Sequence, residues 1–306
     1  MIAAPMFLVS GVDLVTAACR NGAIGSFPTA NCRTPDELAH WLATIRRQLR
    51  EHEDRTGTAS APFCPNLIVH ASNERLSEDL RVVLDHVPEI VITSVGSPAA
   101  VIGPLHDIGA LVFADVATLR HAERAIAVGA DGLVLLTAGA GGQTGWLNPF
   151  AFVRAVRKFF AGPLVLAGGV SDGQALHAAI ALGCDLAYMG TLFIATHESM
   201  APQAYKDMLV AASADDVVLT RAFTGLQTNM LRPSIVAAGL NPDALPERGA
   251  LDVAKDINVE GRNQNQRRWR DIWSAGHSVS GVTAIVSVEA LIERTCAEYH
   301  AARSST

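Results

Sequence analysis

The sequence lacks the features that mark membrane, exported and nucleic-acid-binding proteins. It contains no uncharged apolar run of about 18 residues, which predicts that no segment spans a membrane. Its first residues, MIAAPMF, have no basic stretch leading into a cleavable apolar segment, which predicts no export signal. The net charge is −6, and no cluster of Lys and Arg stands out. We therefore expect a cytoplasmic protein with a small-molecule partner and neither a membrane nor a nucleic-acid partner.

Cysteine is scarce and scattered, with five residues among 306 and no CxxC pair. This spacing favours reduced thiols over a disulfide framework or a zinc site, so we expect no metal ion. The chain is also only 18% charged but 49% hydrophobic, which excludes disorder and allows a large buried core.

Eight short apolar runs, each bounded by Gly, Pro or Asp, alternate with helix-period segments. The runs are near-continuous rather than alternating, which is typical of parallel strands covered on both faces. They lie at residues 2–7, 23–27, 63–69, 90–95, 111–116, 132–136, 164–167 and 186–189. This order predicts an α/β fold, a (β/α)8 TIM barrel, over residues 1–198. An open doubly wound sheet would give a similar order and is the alternative.

The pattern changes after the eighth strand. Residues 199–265 read as helices and loops broken by prolines, and residues 288–302 read as an amphipathic final helix. We expect residues 199–306 to form an added helical segment that packs on the barrel. Such a segment either covers a substrate or serves as a packing or dimer-forming tail, which leaves a homodimer open.

Three glycine-rich turns follow strand-like runs. They are AGAGGQTG at residues 138–145, Gly168-Gly169, and Gly190-Thr191. Glycines let the backbone lie close to a ligand, and exposed N–H groups beside the helix that starts near Asp172 can bind an anion. These turns predict a phosphate monoester pocket at the carboxyl rim of the barrel, where phosphates commonly sit. Ordinary βα turns are the alternative.

Two polar residues stand out in or beside the third apolar run. Asn66 needs a hydrogen-bond partner when buried, and its amide could meet the edge of a flavin or pyridine ring. Bonding to a neighbouring strand is the alternative. His70 lies four residues on, so strand alternation would place it on the same side, nearer the rim. It could act as a base or merely cap a turn.

These motifs together resemble the nitronate monooxygenases, formerly called 2-nitropropane dioxygenases. The resemblance rests on AAPM at residues 3–6, Asn66, AGGQTG at 140–145, LAGG at 166–169, MGT at 189–191 and RAFTG at 221–225. It covers roughly residues 2–225 and implies an FMN-dependent TIM-barrel enzyme related to enoyl reductases and NADH:quinone reductases. It places Met6 and Asn66 against the isoalloxazine ring. Along the ribityl phosphate and beside the flavin it places the backbone of Gly141, Gly168, Gly169, Gly190 and Thr191.

One departure from the family pattern bears on activity. The family loop usually reads AGGH, and its histidine is assigned as the base that takes the proton α to the nitro group. This chain has Gln143 there, and a carboxamide cannot accept a proton near neutral pH. A second departure is Leu136, where many members carry a glutamine that contacts FMN.

Three functions follow from this difference. The first is oxidation of alkyl nitronates with O2, since nitronates are already deprotonated. The second is NAD(P)H-dependent reduction of quinones, enones or enoyl thioesters, and the third is non-catalytic flavin binding. We name Gln143 and His70 as catalytic candidates, with Tyr188 as a further group that could handle a proton.

Overall fold

The structure, a computed structural model, describes residues 1–246 and 271–305. Eight parallel strands close into a barrel because the first strand pairs with both the second and the last. This closure confirms the (β/α)8 prediction and excludes the open sheet. The barrel strands are β1 Ile2–Ala3, β2 Ile24–Pro28, β3 Phe63–Ile68, β4 Ile90–Ser94, β5 Leu111–Val116, β6 Gly132–Leu136, β8 Leu164–Ala167 and β9 Leu186–Met189.

Helices follow the strands and surround the barrel. The helices of the barrel and its C-terminal extension are α1 Val12–Arg20, α2 Pro35–Thr56, α3 Leu76–His86, α4 Ala99–Asp107, α5 Leu119–Ala127, α6 Pro149–Val156, α7 Gly173–Leu182, α8 Thr191–Ile194, α9 Gln203–Ala211, α10 Arg232–Ala237 and α11 Val288–Ser304. The last of these confirms the predicted final helix. Within the described residues, none of the helices is long and apolar enough to cross a membrane.

The strands bury both of their faces, which explains their continuous apolar sequences. A larger cluster of buried side chains fills the layer between strands and helices and includes Leu67, Leu133 and Phe152. A smaller cluster fills the barrel interior with side chains such as Ile2, Phe113 and Val165. Because strand side chains alternate, one residue in two on each strand reaches the interior.

Side chains cap the starts of two helices. Thr34 accepts a hydrogen bond from the Glu37 N–H at 3.1 Å and caps α2. Asp172 accepts one from the Ala175 N–H at 2.7 Å and caps α7. In both cases a side-chain oxygen satisfies an N–H group that has no partner within the helix.

The first strand is shorter than predicted. It ends at Ala3 because the chain then folds into a tight loop, in which the Ser10 hydroxyl accepts from the Met6 N–H at 3.0 Å. Asn31 holds the same loop, accepting from the Leu8 N–H at 2.9 Å and donating to the Met6 carbonyl at 3.0 Å. Leu8 has a φ of 59°, which costs about 1–3 kcal/mol in a residue other than glycine.

The segment after the barrel is not purely helical, which corrects the prediction for residues 199–265. It contains β10 Val217–Thr220 and β11 Thr228–Leu231, an antiparallel pair. A further short strand, β7 Gly142–Gln143, pairs antiparallel with β11 to complete a three-stranded sheet. These strands were not predicted, because β10 and β11 have only four residues each and β7, with two, pairs with a strand remote in the sequence. The part of that prediction at residues 247–265 lies outside the described residues.

Helix α11 packs on the start of α7 at Gly173. A Cβ there would lie 2.2 Å from the Tyr299 nitrogen and 2.3 Å from the Thr295 oxygen. Both atoms belong to the backbone of α11, so only a glycine allows this approach.

We expect Gly173→Ala to lower the free energy of unfolding by about 1–3 kcal/mol, because the helices must separate to admit the methyl group. Gly103→Ala is the matched control, since Gly103 is an exposed glycine inside α4 with no atom within 4 Å of an added Cβ. It should be neutral or stabilise by about 0.5–1 kcal/mol. Urea denaturation measures both values, and equal stabilities for the two variants would contradict the packing argument.

Candidate active site

A cavity of about 370 Å³ opens at the carboxyl ends of the barrel strands. Every barrel strand, or the loop that follows it, contributes to its lining. The segment after the barrel also lines it, with Pro202, Tyr205, Thr224, residues 272–275 and Ser278. The position matches the active-site end of (β/α)8 barrels.

Two of the three described non-glycine residues with positive φ, Leu8 and Val95, line this cavity. Val95 has a φ of 60°, a conformation that β-branched residues rarely adopt. Such strained backbone is concentrated at functional sites.

The glycine-rich loop at residues 138–145 forms one wall and packs closely on residues 275–277. An added Cβ would meet the His277 ring at 2.7 Å from Gly139, the Gly276 nitrogen at 2.7 Å from Gly141, and the Gly139 carbonyl oxygen at 2.6 Å from Gly276. The sequence suggested that these glycines leave room for a ligand. Gly139 and Gly141 line the cavity, but their lack of a side chain is needed for contact between two backbone segments.

Strand pairing fixes the end of the same loop. Gln143 pairs with Thr228, and the buried Asn229 side chain donates to the Ala140 carbonyl at 2.8 Å. Gln143 is half-buried and lines the cavity, and its carboxamide makes no hydrogen bond to another described residue. The carboxamide is therefore available to a molecule in the cavity.

The strand-end glycines Gly168, Gly169 and Gly190 line the cavity together with Thr191. Among the described residues, the N–H groups of Gly168, Gly169 and Thr191 have no acceptor. A Cβ on Gly169 would meet nothing within 4 Å, and one on Gly190 would touch only Ala4 and Met6, at 3.5 Å. These free donors beside open space suit an anionic group.

The start of α7 takes no part in this arrangement, contrary to the expectation from the sequence. Its first N–H, at Gly173, donates to the Glu298 carboxylate at 2.9 Å, and the Ala175 N–H donates to Asp172. Two carboxylates thus occupy the helix start. Glu298 could not be foreseen because it lies 125 residues away in α11.

Met6 and Asn66 both line the cavity. The Asn66 side chain donates weakly to the Ile92 carbonyl at 3.4 Å, and its oxygen accepts from the Ser94 hydroxyl at 3.2 Å. Asn66 therefore combines the two roles that the sequence left open, since it bonds the neighbouring strand and also faces the cavity.

His70 lies outside the residues that line the cavity. Strand β3 ends at Ile68, so the alternation that would have carried His70 toward the rim stops before it. Its Nδ1 atom accepts from the Ser72 N–H at 3.2 Å and lies 2.8 Å from the Ser72 hydroxyl. His70 therefore caps a turn, the alternative to a role as a base.

Asp115 is a cavity residue that the sequence reasoning missed, and Tyr188 faces the same space. Burial raises the pKa of the Asp115 carboxyl to about 8. Burial, with Asp115 as a smaller cause, also raises the pKa of the Tyr188 hydroxyl. Asp115 could have been found by the reasoning applied to Asn66, since it is a single polar residue in the apolar run LVFADV.

The outer wall of the cavity contains a pair of aromatic residues that no local pattern indicated. The Tyr205 ring stacks on the Trp273 ring with centroids 4.9 Å apart and planes 10° apart. The Tyr205 hydroxyl donates to the Ser274 carbonyl, and burial raises the pKa of that hydroxyl to about 12. Tyr205 and Trp273 are 68 positions apart in the sequence, so only the fold brings α9 and residues 272–275 together.

A closed (β/α)8 barrel with a ligand-sized cavity at the carboxyl ends of its strands defines a barrel enzyme. The chain matches the family model described as nitronate monooxygenase over residues 1–298. The protein therefore belongs to the nitronate monooxygenase family, a family of flavin-dependent oxidoreductases.

The individual relatives are more distant. A nitronate monooxygenase of Paraburkholderia phytofirmans is 30% identical over 69% of this chain. A hydroxy-methyl-oxo-octahydroindene-carboxyl-CoA dehydrogenase of Mycobacterium tuberculosis is 27% identical over 74% of it. The chain covers 61% of the length of each of these relatives. The solved structure of a nitroalkane oxidase from Streptomyces ansochromogenes shares the fold, with a TM-score of 0.81 at 24% identity over 100% of this chain and 97% of that one.

Asn229 tests how the glycine-rich loop is held. We expect Asn229→Ala to lower the free energy of unfolding by about 1–3 kcal/mol, because it leaves the buried Ala140 carbonyl without a donor. Asn229→Asp should lower the free energy of unfolding at least as much, since it places a carboxylate beside the Ala140 carbonyl and both groups are acceptors. Asn241→Ala, at an exposed turn, should change stability by no more than about 0.5 kcal/mol. Chemical denaturation gives the three values, and similar losses at positions 229 and 241 would contradict the assigned role.

Proposed function

We propose that the protein is an FMN-dependent nitronate monooxygenase that oxidises alkyl nitronates with O2. The observation that carries this proposal is the placement of the free N–H groups of Gly168, Gly169 and Thr191 in the same cavity as Met6, Asn66 and Gln143. A flavin, when bound, supplies the redox chemistry. The chain supplies the site that binds the cofactor and orients the substrate.

The residues present fit a flavin monophosphate. Gly169 and Gly190 leave open space at the donors, and Gly141 lines the same cavity. No Lys, Arg or His is among the described residues that line the cavity, so the phosphate would be held by backbone dipoles. We assign Met6 and Asn66 to the ring, and Gly141, Gly168, Gly169, Gly190 and Thr191 to the phosphate and the loop beside the flavin. We propose that the chain divides into an FMN-binding core at residues 1–198 and a segment at residues 199–306 that covers the barrel.

The preference for nitronates follows from the lack of a base. Gln143 can donate a hydrogen bond to a nitronate oxygen, but it cannot remove a carbon-bound proton. His70 is bonded to Ser72 and is not among the residues that line the cavity. Asp115 carries the only carboxyl group among the described lining residues, and it is mostly protonated at neutral pH because burial raises its pKa to about 8.

NAD(P)H-dependent reduction of a quinone, an enone or an enoyl thioester is the second candidate. It is favoured by the relative from Mycobacterium tuberculosis, whose name describes a dehydrogenase of a CoA ester. A reductase needs no base for a carbon-bound proton, so Gln143 is compatible with it.

Gly190 provides a direct test of cofactor binding. We expect Gly190→Leu to lower FMN affinity at least about tenfold, because its side chain would extend beside Ala4 and Met6, which line the cavity. The fold should tolerate the change, since the backbone φ of −107° suits any residue and an added Cβ makes only ordinary contacts. Gly168 is a poorer test because its Cβ would meet Thr137 Oγ1 at 2.6 Å and disturb the loop itself.

Flavin fluorescence on titration measures the affinity, with Gly103→Leu on the exposed face of α4 as control. FMN bound equally well by wild type and Gly190→Leu would mean that this turn does not contact the cofactor. A wild-type protein that takes up no FMN would overturn the proposed function.

Gln143→His tests the assignment of substrate. We expect it to raise activity on neutral nitroalkanes by about 100-fold or more, because an imidazole can take the α-proton. Activity on nitronates should change only a few-fold, since they carry no proton to remove. Oxygen uptake with both substrate forms measures this, and Gln143→Leu, which adds no base, should gain nothing on nitroalkanes.

Two results would contradict the proposal. Equal wild-type rates on nitroalkanes and nitronates would mean that another residue is the base. Rapid reduction of the flavin by NADH, with no reaction of nitronates, would favour the reductase.

A further inference from the structure

Two residues that line the cavity each carry a buried polar atom without a partner in the described part of the chain. The Tyr188 hydroxyl and the Asp115 Oδ1 atom have no hydrogen bond within the described part of the chain. A buried hydroxyl or carboxyl without a partner destabilises the folded chain, so such groups usually have a function or an external partner.

Strand register places both groups in the barrel interior. Asp115 lies two residues after Phe113, an interior side chain of β5, and therefore points to the same side. Tyr188 lies in β9 opposite Ile2 of β1 and belongs to the interior cluster itself. Both line the cavity that also contains Met6 and Asn66.

The surroundings of Asp115 offer it no counter-charge. The titratable groups that face it are the Tyr188 hydroxyl of β9 and the Cys64 thiol of β3, and burial raises the pKa of each. From the adjacent strands, Ile92 and Ser94 of β4 and Val134 and Leu136 of β6 point to the interior, and none of them carries a charge. The negative charge of an ionised carboxylate would have no neighbouring positive charge here, whereas a neutral carboxylic acid has an O–H group to donate.

We propose that Asp115, as a neutral carboxylic acid, and Tyr188 form a two-donor contact that binds a hydrogen-bond-accepting atom of the flavin ring. The identification of the acceptor as a flavin atom rests on the proposed function. Both side chains are donors, and the ligand must supply the acceptor. A negative charge on the ligand would strengthen the contact, because it would further disfavour loss of the Asp115 proton.

The proposal gives flavin binding a defined dependence on pH. The FMN dissociation constant of the wild type should rise about tenfold between about pH 7 and about pH 9.5, because one of the two donors is lost. Asp115→Asn should bind FMN with little change over that range, since an amide donates and does not ionise. Tyr188→Phe should bind about fivefold more weakly at every pH but keep the wild-type slope.

The ligand-free chain supplies a second readout. Folding raises the pKa of this carboxyl from an ordinary 3.8 to about 8, so between these values the folded state binds more protons than the unfolded state. Stability must then fall as the pH rises through that window and level off above it. The Tm advantage of Asp115→Asn over wild type should therefore grow from about pH 4 to about pH 8. Asp54→Asn, at an exposed carboxyl of α2, should follow the wild-type profile.

The outcomes separate this proposal from the proposed function. If wild type and Asp115→Asn show the same pH dependence in FMN affinity and in Tm, the two-donor proposal is overturned. The assignment of FMN as the cofactor is then unaffected. If no protein binds FMN at any pH, the proposed cofactor fails and the flavin contact fails with it. The Tm difference then decides alone whether Asp115 is a neutral acid.

Discussion

The contact between the glycine-rich loop and residues 275–277 is the constraint on which the site depends. Two backbone segments that are remote in sequence approach so closely that Gly139, Gly141 and Gly276 could not carry a Cβ without a collision. The Gly276 N–H also donates to Thr191 Oγ1 at 2.9 Å, which ties the same contact to the end of β9. The two segments that meet here also line the cavity, through Gly139, Gly141 and Ala275.

The same contact determines how Gln143 is presented. The loop continues into β7, which pairs with β11 of the segment after the barrel, so position 143 belongs to a sheet rather than to a free loop. A side chain so placed is held at the cavity edge by backbone hydrogen bonds, whatever its chemistry. The support of position 143 therefore comes from backbone atoms and does not depend on which side chain it carries.

Electrostatics give the cavity its second distinctive property. Among the described lining residues there is no cation, and the single acid is stabilised in its neutral form by burial. Backbone N–H groups are left as the means of binding an anion, and they act through fixed dipoles whose orientation the turns enforce. A neutral acid avoids the repulsion that a carboxylate would exert on an anionic cofactor or substrate.

Much of this protein could be deduced from its sequence, because the deciding forces were local. Near-continuous apolar runs require strands covered on both faces, Thr34 and Asp172 begin helices through their own side chains, and glycines mark the strand ends that line the cavity. The motifs around Met6, Asn66 and residues 140–145 also sufficed to indicate the family.

The tertiary structure alone decided the rest, because it depends on partners that are remote in sequence. Glu298 occupies the start of α7, Thr228 turns a loop residue into a strand residue, and Trp273 stacks on Tyr205. Asp115 depends on both the sequence and the tertiary structure. Its place in an apolar run is visible in the sequence, but the protonation of its carboxyl depends on which groups surround it, and barrel closure determines those.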